Sequence, residues 1–255
     1  MYDREKTFLN PLQRITIVPN QLVDNCLNLT FEQHHYLTRV LRLRSGDRFI
    51  AIDGAGHWWL AELADSVSEA QPGATILEAI AAQTELPISV TLLIAMPKGN
   101  GMDDIVRQVT EAGVTRIIPV VSDRTLLNPS AQKLERWQRI AQEAAEQSER
   151  QIVPEITAPL PFVKALGQET TTTNRYICEA RGDYPHLLSH LARLTPATAI
   201  AIAIGPEGGW TEAELQAAIA QGYQPVSLGR RVLRAITAPL VAVALIASVL
   251  ESMPE

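Results

Sequence analysis

The hydrophobic pattern changes character about a third of the way along the chain. Before residue 85, apolar positions come in short strand-like segments at Ile15–Val18, Arg48–Asp53, His57–Leu63 and Ala74–Ala81. Turn chemistry separates them at Ser45-Gly46-Asp47, Asp53-Gly54-Ala55-Gly56 and Gln71-Pro72-Gly73. One helical segment interrupts the strands, from about Thr30 to Leu43, with Phe31, His34, Leu37, Val40 and Leu41 near helical spacing. The pattern predicts a small β-barrel with one packed helix, and Glu85-Leu86-Pro87 marks its end.

From Ile88 onward, apolar runs alternate with helical stretches. Ile88–Met96, Ile117–Val121, Arg175–Cys178, Thr198–Ile204 and Pro225–Leu228 read as strands buried on both faces. Met102–Ala112, Ser130–Gln147 and Thr211–Gln221 read as helices between them. Thr211 and Glu214 have capping-box spacing, and Gly222 is a suitable stop. The longest apolar run, Pro239–Leu250, is too short to span a bilayer and reads as a buried helix. Such alternation predicts a mostly parallel sheet covered by helices. The chain is therefore expected to be α/β, with domains at 1–84 and 85–255. There is no internal repeat, and Thr170–Thr173 is the one low-complexity stretch, in an expected loop.

Composition narrows the class. A chain of 255 residues with 46% apolar and 20% charged residues is neither disordered nor collagen-like, and it can bury a core without disulfides. Cys26 and Cys178 lie far apart and no charged-then-apolar leader opens the chain, so reduced thiols and a cytoplasmic location are expected.

The net charge of −6 argues at first against a nucleic-acid partner. Its distribution reverses that reading. Residues 49–97 hold six carboxylates and no Lys or Arg, so this stretch accounts for the whole imbalance. Just before it, Arg39, Arg42, Arg44 and Arg48 face a single Asp47. Screening limits charge effects to roughly 10 Å, so a local basic face can bind phosphate whatever the global sign. A solvated helix face is the competing reading.

The sharpest chemical feature is Ile204-Gly205-Pro206-Glu207-Gly208-Gly209-Trp210, between an expected buried strand and an expected capped helix. In parallel α/β sheets ligands bind at the carboxyl ends of strands, and glycine there lets backbone approach them. The spacing is neither a dinucleotide fingerprint nor a Walker loop. A second segment, Ser227-Leu228-Gly229-Arg230-Arg231-Val232-Leu233-Arg234-Ala235-Ile236-Thr237-Ala238-Pro239, carries three arginines from a Gly turn into an apolar helix. An arginine at the carboxyl end of a strand usually has an anionic or carbonyl partner, which singles out Arg234.

With these two segments the chain resembles the bacterial 16S ribosomal RNA uridine-N3 methyltransferases of the SPOUT class, the RsmE family. That family carries a GPEGG loop and, about twenty residues later, an LG-x-R-I/V-LR-x-E-T-A segment. The likeness extends to His35-Tyr36-Leu37-Thr38-Arg39-Val40-Leu41-Arg42 with Gly46-Asp47, and to Lys98-Gly99 with Met102-Asp103. It takes in Thr110-Glu111-Ala112-Gly113-Val114 and Glu143-Ala144-Ala145-Glu146-Gln147-Ser148 with Arg150. Together these motifs span nearly the whole chain in the family's order. Three positions depart from the family's usual residues: Ile236 stands in place of Glu, Gly101 in place of Lys or Arg, and Gln108 in place of Lys.

The resemblance implies a PUA-like β-barrel, then a SPOUT-type α/β domain whose C-terminus is threaded into a trefoil knot, usually in a homodimer. It implies an S-adenosylmethionine pocket formed by Ile204, Gly205, Pro206, Glu207, Gly208 and Gly209 with Ser227, Leu228, Gly229, Val232, Leu233 and Thr237. It implies an RNA-binding face at His35, Arg39, Arg42 and Arg44, the partner being 16S ribosomal RNA in the small subunit. No metal and no membrane are implied. The chemistry is methyl transfer to N3 of uridine, which is a poor nucleophile until its proton leaves. If N3 titrates about two units above neutrality, stabilising its anion takes on the order of 3 kcal/mol at pH 7. A guanidinium near O2 or O4 could supply this, with Arg234 the first candidate.

Other residues carry less. His186 and His190 have i,i+4 spacing without a third ligand at motif spacing. One ring of Trp58-Trp59 should face the core, leaving the other free to stack on a base. Asp103, Glu143 and Glu146 are either site carboxylates or solvated helix-face residues. Two other functions stay open: a SPOUT methyltransferase with a different RNA target, and a non-catalytic RNA-binding assembly protein.

Overall fold

A computed structural model of the chain describes residues 12–64, 73–81, 84–125, 131–168, 174–194 and 199–253. The Gln71-Pro72 turn, the Thr170–Thr173 loop, the helix start at Ser130 and the strand start at Thr198 lie outside them. The chain divides into two compact units, one of residues 1–84 and 145–153, the other of 85–144 and 154–255.

The first unit contains β1 (Arg14–Thr16), β2 (Leu22–Val23), β3 (Cys26–Asn28), α1 (Phe31–His35), β4 (Arg48–Ile52), β5 (Trp58–Leu63) and β6 (Gly73–Ile80). The strands form one sheet in the order β1-β4-β5-β6-β3-β2, antiparallel except where β1 joins β4. Among the described residues the ladder does not close, because β1 and β2, three and two residues long, stand at its ends. Ile15, Ile17, Leu27, Leu37, Phe49, Ala51 and Ala61 form its core.

The helix expected from Thr30 to Leu43 is α-helical only through His35 and continues as a π-helical turn over Tyr36–Val40. Thr30 and Gln33 form a capping box at its start. Leu37 is fully buried and pins the π turn to the sheet's core. The segment 145–153, which the sequence boundary assigns to the second domain, bonds into this unit instead. Glu146 accepts the Thr16 N–H at 2.8 Å, Glu149 pairs with Arg14 at 2.9 Å, and Val153 N–H donates to Gly54 at 2.9 Å.

The second unit runs β7 (Val90–Ala95), α2 (Gly101–Glu111), β8 (Arg116–Val121), α3 (Ala131–Gln147, whose last three residues count with the first unit), β9 (Glu155–Ile156), β10 (Leu160–Pro161), α4 (Phe162–Leu166), β11 (Asn174–Cys178), α5 (Leu187–Leu191), β12 (Ile200–Ile204), α6 (Glu212–Ala220), β13 (Gln224–Val226) and α7 (Thr237–Glu251). Its sheet is wholly parallel, in the order β10-β8-β7-β12-β11-β13, with β9 also on β8. The most continuous apolar runs take the middle: every residue of β7 and β12 is buried. Pro161 and Pro225 lie in the rim strands β10 and β13, while Pro119 lies within β8 opposite Ile94 of β7. The short elements β2, β3, β9, β10, α4 and α5 carry too few residues to show a period, and the sequence pattern did not reveal them.

Candidate active site

All strands of the second sheet run the same way, so the loops after β8, β11, β12 and β13 leave from one end of it. Ile204 and the loop Gly205–Gly209 form one wall of a cleft there. Leu228, Gly229, Arg231, Val232 and Leu233 form another. The cleft holds a cavity of about 160 Å³ and opens to solvent on one side.

The loop after β12 is held from three directions. Trp210 packs its ring on Phe162 at 4.2 Å and donates from Nε1 to the Cys178 carbonyl at 3.2 Å. A Cβ on Gly205 would stand 3.2 Å from that same ring. Arg124, in the loop after β8, donates to the carbonyls of Gly208 and Trp210. Glu207 accepts the Lys98 backbone N–H at 3.0 Å. The expected capping box is present at the start of α6, and it does a second job. Buried Glu214 accepts the N–H of Thr211 at 2.8 Å and that of Asp123 at 2.8 Å, tying the β8 loop to the end of the Gly-rich loop.

Bare backbone borders the cleft at two glycines. Gly209 and Gly229 both take left-handed φ, +72° and +119°, and a Cβ on either would meet nothing within 4 Å. Ser227 braces the second wall: its Oγ accepts the Gly229 N–H at 3.0 Å. Neither Ser227 nor Thr237 lines the cleft; Thr237 is exposed at the start of α7. Arg234 is exposed and does not line the cleft either, although Leu233 and Ala235 beside it do. Its carbonyl accepts the N–H groups of Thr237 and Ala238 at 2.9 and 3.0 Å and so starts α7.

Three charged residues outside both sequence motifs line the cleft, Arg124, Glu179 and Arg181, and Arg231 joins them from the second motif. Arg124, Glu179 and Arg181 follow the carboxyl ends of β8 and β11, and that position was the available signal. Cys178 is at the cleft too, where burial, reinforced by Glu179, pushes its thiol up and keeps it neutral.

The remaining candidates find other roles. Asp103 accepts both Nε and Nη2 of Arg136 at 2.8 Å and the Trp137 ring N–H at 3.1 Å. Glu143 is an exposed partner of Arg139 at 4.0 Å. His186 caps α5 by accepting the Leu188 N–H at 3.2 Å, and His190 packs edge-on against Tyr176. Among the described residues no group of His, Cys, Asp and Glu could hold a metal, and no helix is long and apolar enough to cross a membrane. Trp58 is buried, and Trp59 stacks on His57 at 5.8 Å.

In the first unit His35 ends α1, Arg39 lies in the π turn, and Arg42 and Arg44 follow it; all four are exposed. Arg42 takes φ +60°, an unusual conformation for a residue with a side chain.

Residues 84–247 match the model of the RNA methyltransferase domain, and residues 29–68 that of the RNA methyltransferase PUA domain. The first unit is therefore PUA-like. The chain is 49% identical to ribosomal RNA small subunit methyltransferase E of Synechocystis, over 94% of this chain and 78% of that one. It is 31% identical to the Bacillus subtilis protein of the same name, over 86% and 88%. The crystal structure of ribosomal RNA small subunit methyltransferase E from Neisseria gonorrhoeae, bound to S-adenosyl methionine, is similar with a TM-score of 0.83 and 33% identity, covering 93% of this chain and 97% of that one. With the cleft and both family regions in place along one chain, this protein belongs to the ribosomal RNA small subunit methyltransferase E family.

Proposed function

We propose that the protein transfers a methyl group from S-adenosylmethionine to N3 of a uridine in 16S ribosomal RNA of the small subunit. The observation that carries this reading is the cleft where the Gly205–Gly209 loop meets the Leu228–Leu233 segment, in a chain of this family. S-adenosylmethionine supplies a methyl group on a positively charged sulfur. Ile204, Gly205, Pro206, Glu207, Gly208 and Gly209 hold it from one side, and Leu228, Gly229, Val232 and Leu233 from the other. Ser227 acts through its bond with Gly229, and Thr237 from the first turn of α7.

Arg234 takes the catalytic role. As the N3 proton passes to solvent water, negative charge spreads onto O2 and O4 of the ring, and a guanidinium beside them stabilises it. The new N–CH3 bond forms as the S–CH3 bond breaks. Arg234 is exposed beside residues that line the cleft, a placement suited to a substrate arriving from outside. Holding the ring against the methyl group is the other large contribution. His35, Arg39, Arg42 and Arg44 bind the RNA.

The reading includes a trefoil knot and a homodimer in the cytoplasm. For the knot, the chain leaves β12, passes beyond β11 to form β13, and returns in α7 to pack on α2, α5 and β12. For the dimer, α7 has a single polar residue, Ser248, between Thr237 and Glu251, and it leaves Leu240, Val241, Leu245 and Val249 only half-buried. Labelled-methyl incorporation into 16S RNA of unmodified small subunits tests the function, and sedimentation tests the dimer. Label appearing in 16S RNA only with S-adenosylmethionine and intact protein supports the reading. Tight cofactor binding with no incorporation on any substrate favours the assembly-protein alternative.

A further inference from the structure

Phe31 and Tyr36 are the exposed Phe, Tyr and Trp side chains among the described residues, and they lie within six positions of each other. Phe31 is 77% exposed. Packing does not account for a phenylalanine there, since the helix reaches the core through Leu37 on another face. The Phe31 ring stacks instead on His35 one turn later, centroids 6.1 Å apart and planes inclined by 27°. The Thr30–Gln33 capping box fixes the backbone beneath it.

The same segment concentrates cationic groups. Arg39, Arg42 and Arg44 are exposed, and none forms an ion pair among the described residues. Glu32 is the one carboxylate between residues 31 and 44. The backbone is also unusual, with a π turn over Tyr36–Val40 and left-handed Arg42 directly after it. π turns and left-handed non-glycine residues cluster where side chains must be aimed at a ligand.

We propose that Phe31 and His35, with Tyr36 beside them, form a stacking platform for an unpaired base of the RNA, and that Arg39, Arg42 and Arg44 hold the adjoining phosphates. This deepens the RNA-methyltransferase reading and rests on it. Aromatic faces accept any base, but only one that has left its helix, so the platform selects single-stranded over duplex RNA. The arginines supply charge without that selectivity. Two components therefore act from one short segment, and they differ in salt dependence.

The test compares the full-length protein with Phe31→Leu, Phe31→Trp and Arg39→Ala variants. Each is titrated with a single-stranded RNA oligonucleotide and with the same sequence as a duplex, over a range of salt. Phe31→Leu keeps an apolar side chain and removes the ring. It should weaken single-strand binding about tenfold, leave duplex binding and the salt slope unchanged, and be rescued by Phe31→Trp. Arg39→Ala should weaken both RNAs and lower the salt slope by about one. Wild-type affinity in Phe31→Leu overturns the platform and leaves the exposed rings to a protein contact. Equal binding of single strand and duplex by the wild type overturns it as well. Methyl incorporation by the wild type, measured in parallel, separates the two readings. If it is absent while Phe31→Leu still loses single-strand binding, the platform stands and the methyltransferase reading falls.

Discussion

Ile236 occupies the space over Gly101. A Cβ on Gly101 would lie 2.8 Å from Ile236 Cγ2 and 3.2 Å from Pro97 Cγ. These are two of the three positions where the chain departs from its family's usual residues, Gly for Lys or Arg and Ile for Glu. The two positions adjoin, so a side chain at 101 competes with Ile236 for the same space. The expected consequence is energetic coupling. Gly101→Ala, although it favours helix at the first residue of α2, should destabilise the protein by about 1 kcal/mol through overpacking. Adding Ile236→Ala should recover at least about 0.5 kcal/mol of that loss. Urea unfolding of the four proteins measures the cycle, and additive effects would show that the two side chains do not compete for space.

Gly208 is fixed by a neighbour rather than by its own backbone angle. Its missing side chain would meet Cδ of Arg124 at 3.0 Å, the residue that donates to the Gly208 and Trp210 carbonyls. Gly208→Val should push Arg124 off those carbonyls and displace the cleft wall, raising the dissociation constant for S-adenosylmethionine about tenfold or more. The melting temperature should change little, because the loop is at the surface. Calorimetric titration beside a thermal melt checks both, and unchanged affinity would move the cofactor away from this wall.

Asp53 gives the first unit a pH dependence of predictable sign. Burial pushes its carboxyl up, but N–H donors from His57 and Ala55 and the His57 ring outweigh this and hold it below the usual range. A depressed carboxylate contributes stability that is complete above its unfolded value, about 3.9, and is lost as pH falls through its folded value. The stability gap between the wild type and Asp53→Asn should therefore be largest near pH 6 and close on acidification below about 4. Unfolding curves at several pH values read this directly. A gap that stays constant would mean the bonds do not favour the charged form.

Arg234 tests the division between binding and chemistry. It does not line the cleft, so its loss should spare cofactor affinity. Arg234→Ala should lower single-turnover methylation roughly 100-fold, the usual order for one preorganised donor. Arg234→Lys should retain part of the rate, since it keeps the charge and loses the planar fork. Loss of cofactor binding with an intact saturated rate would make the residue part of the pocket instead.

How far the sequence could be read follows from what each element needs. β7 and β12 are central and all buried, so their apolar runs announce them; α6 is announced by Thr211 and Glu214. The π turn at Tyr36–Val40 leaves the apolar spacing of a helix almost intact, so nothing distinguishes it from α-helix in the sequence. The two Gly-containing loops at the cleft are conspicuous by composition. Arg124, Glu179 and Arg181 are not, because they reach the cleft through strand order, which is a property of the whole sheet. Periodicity also cannot choose among Arg230, Arg231 and Arg234: of the three, Arg231 lines the cleft.

The central claim is that this chain places a methyl group on N3 of a uridine in 16S RNA. Its most direct measurement is nucleoside mass spectrometry of 16S RNA from unmodified small subunits incubated with the protein and S-adenosylmethionine. The account predicts 3-methyluridine, absent when the protein or the cofactor is omitted. Methyl groups on ribose, or on a base other than uracil, would contradict it.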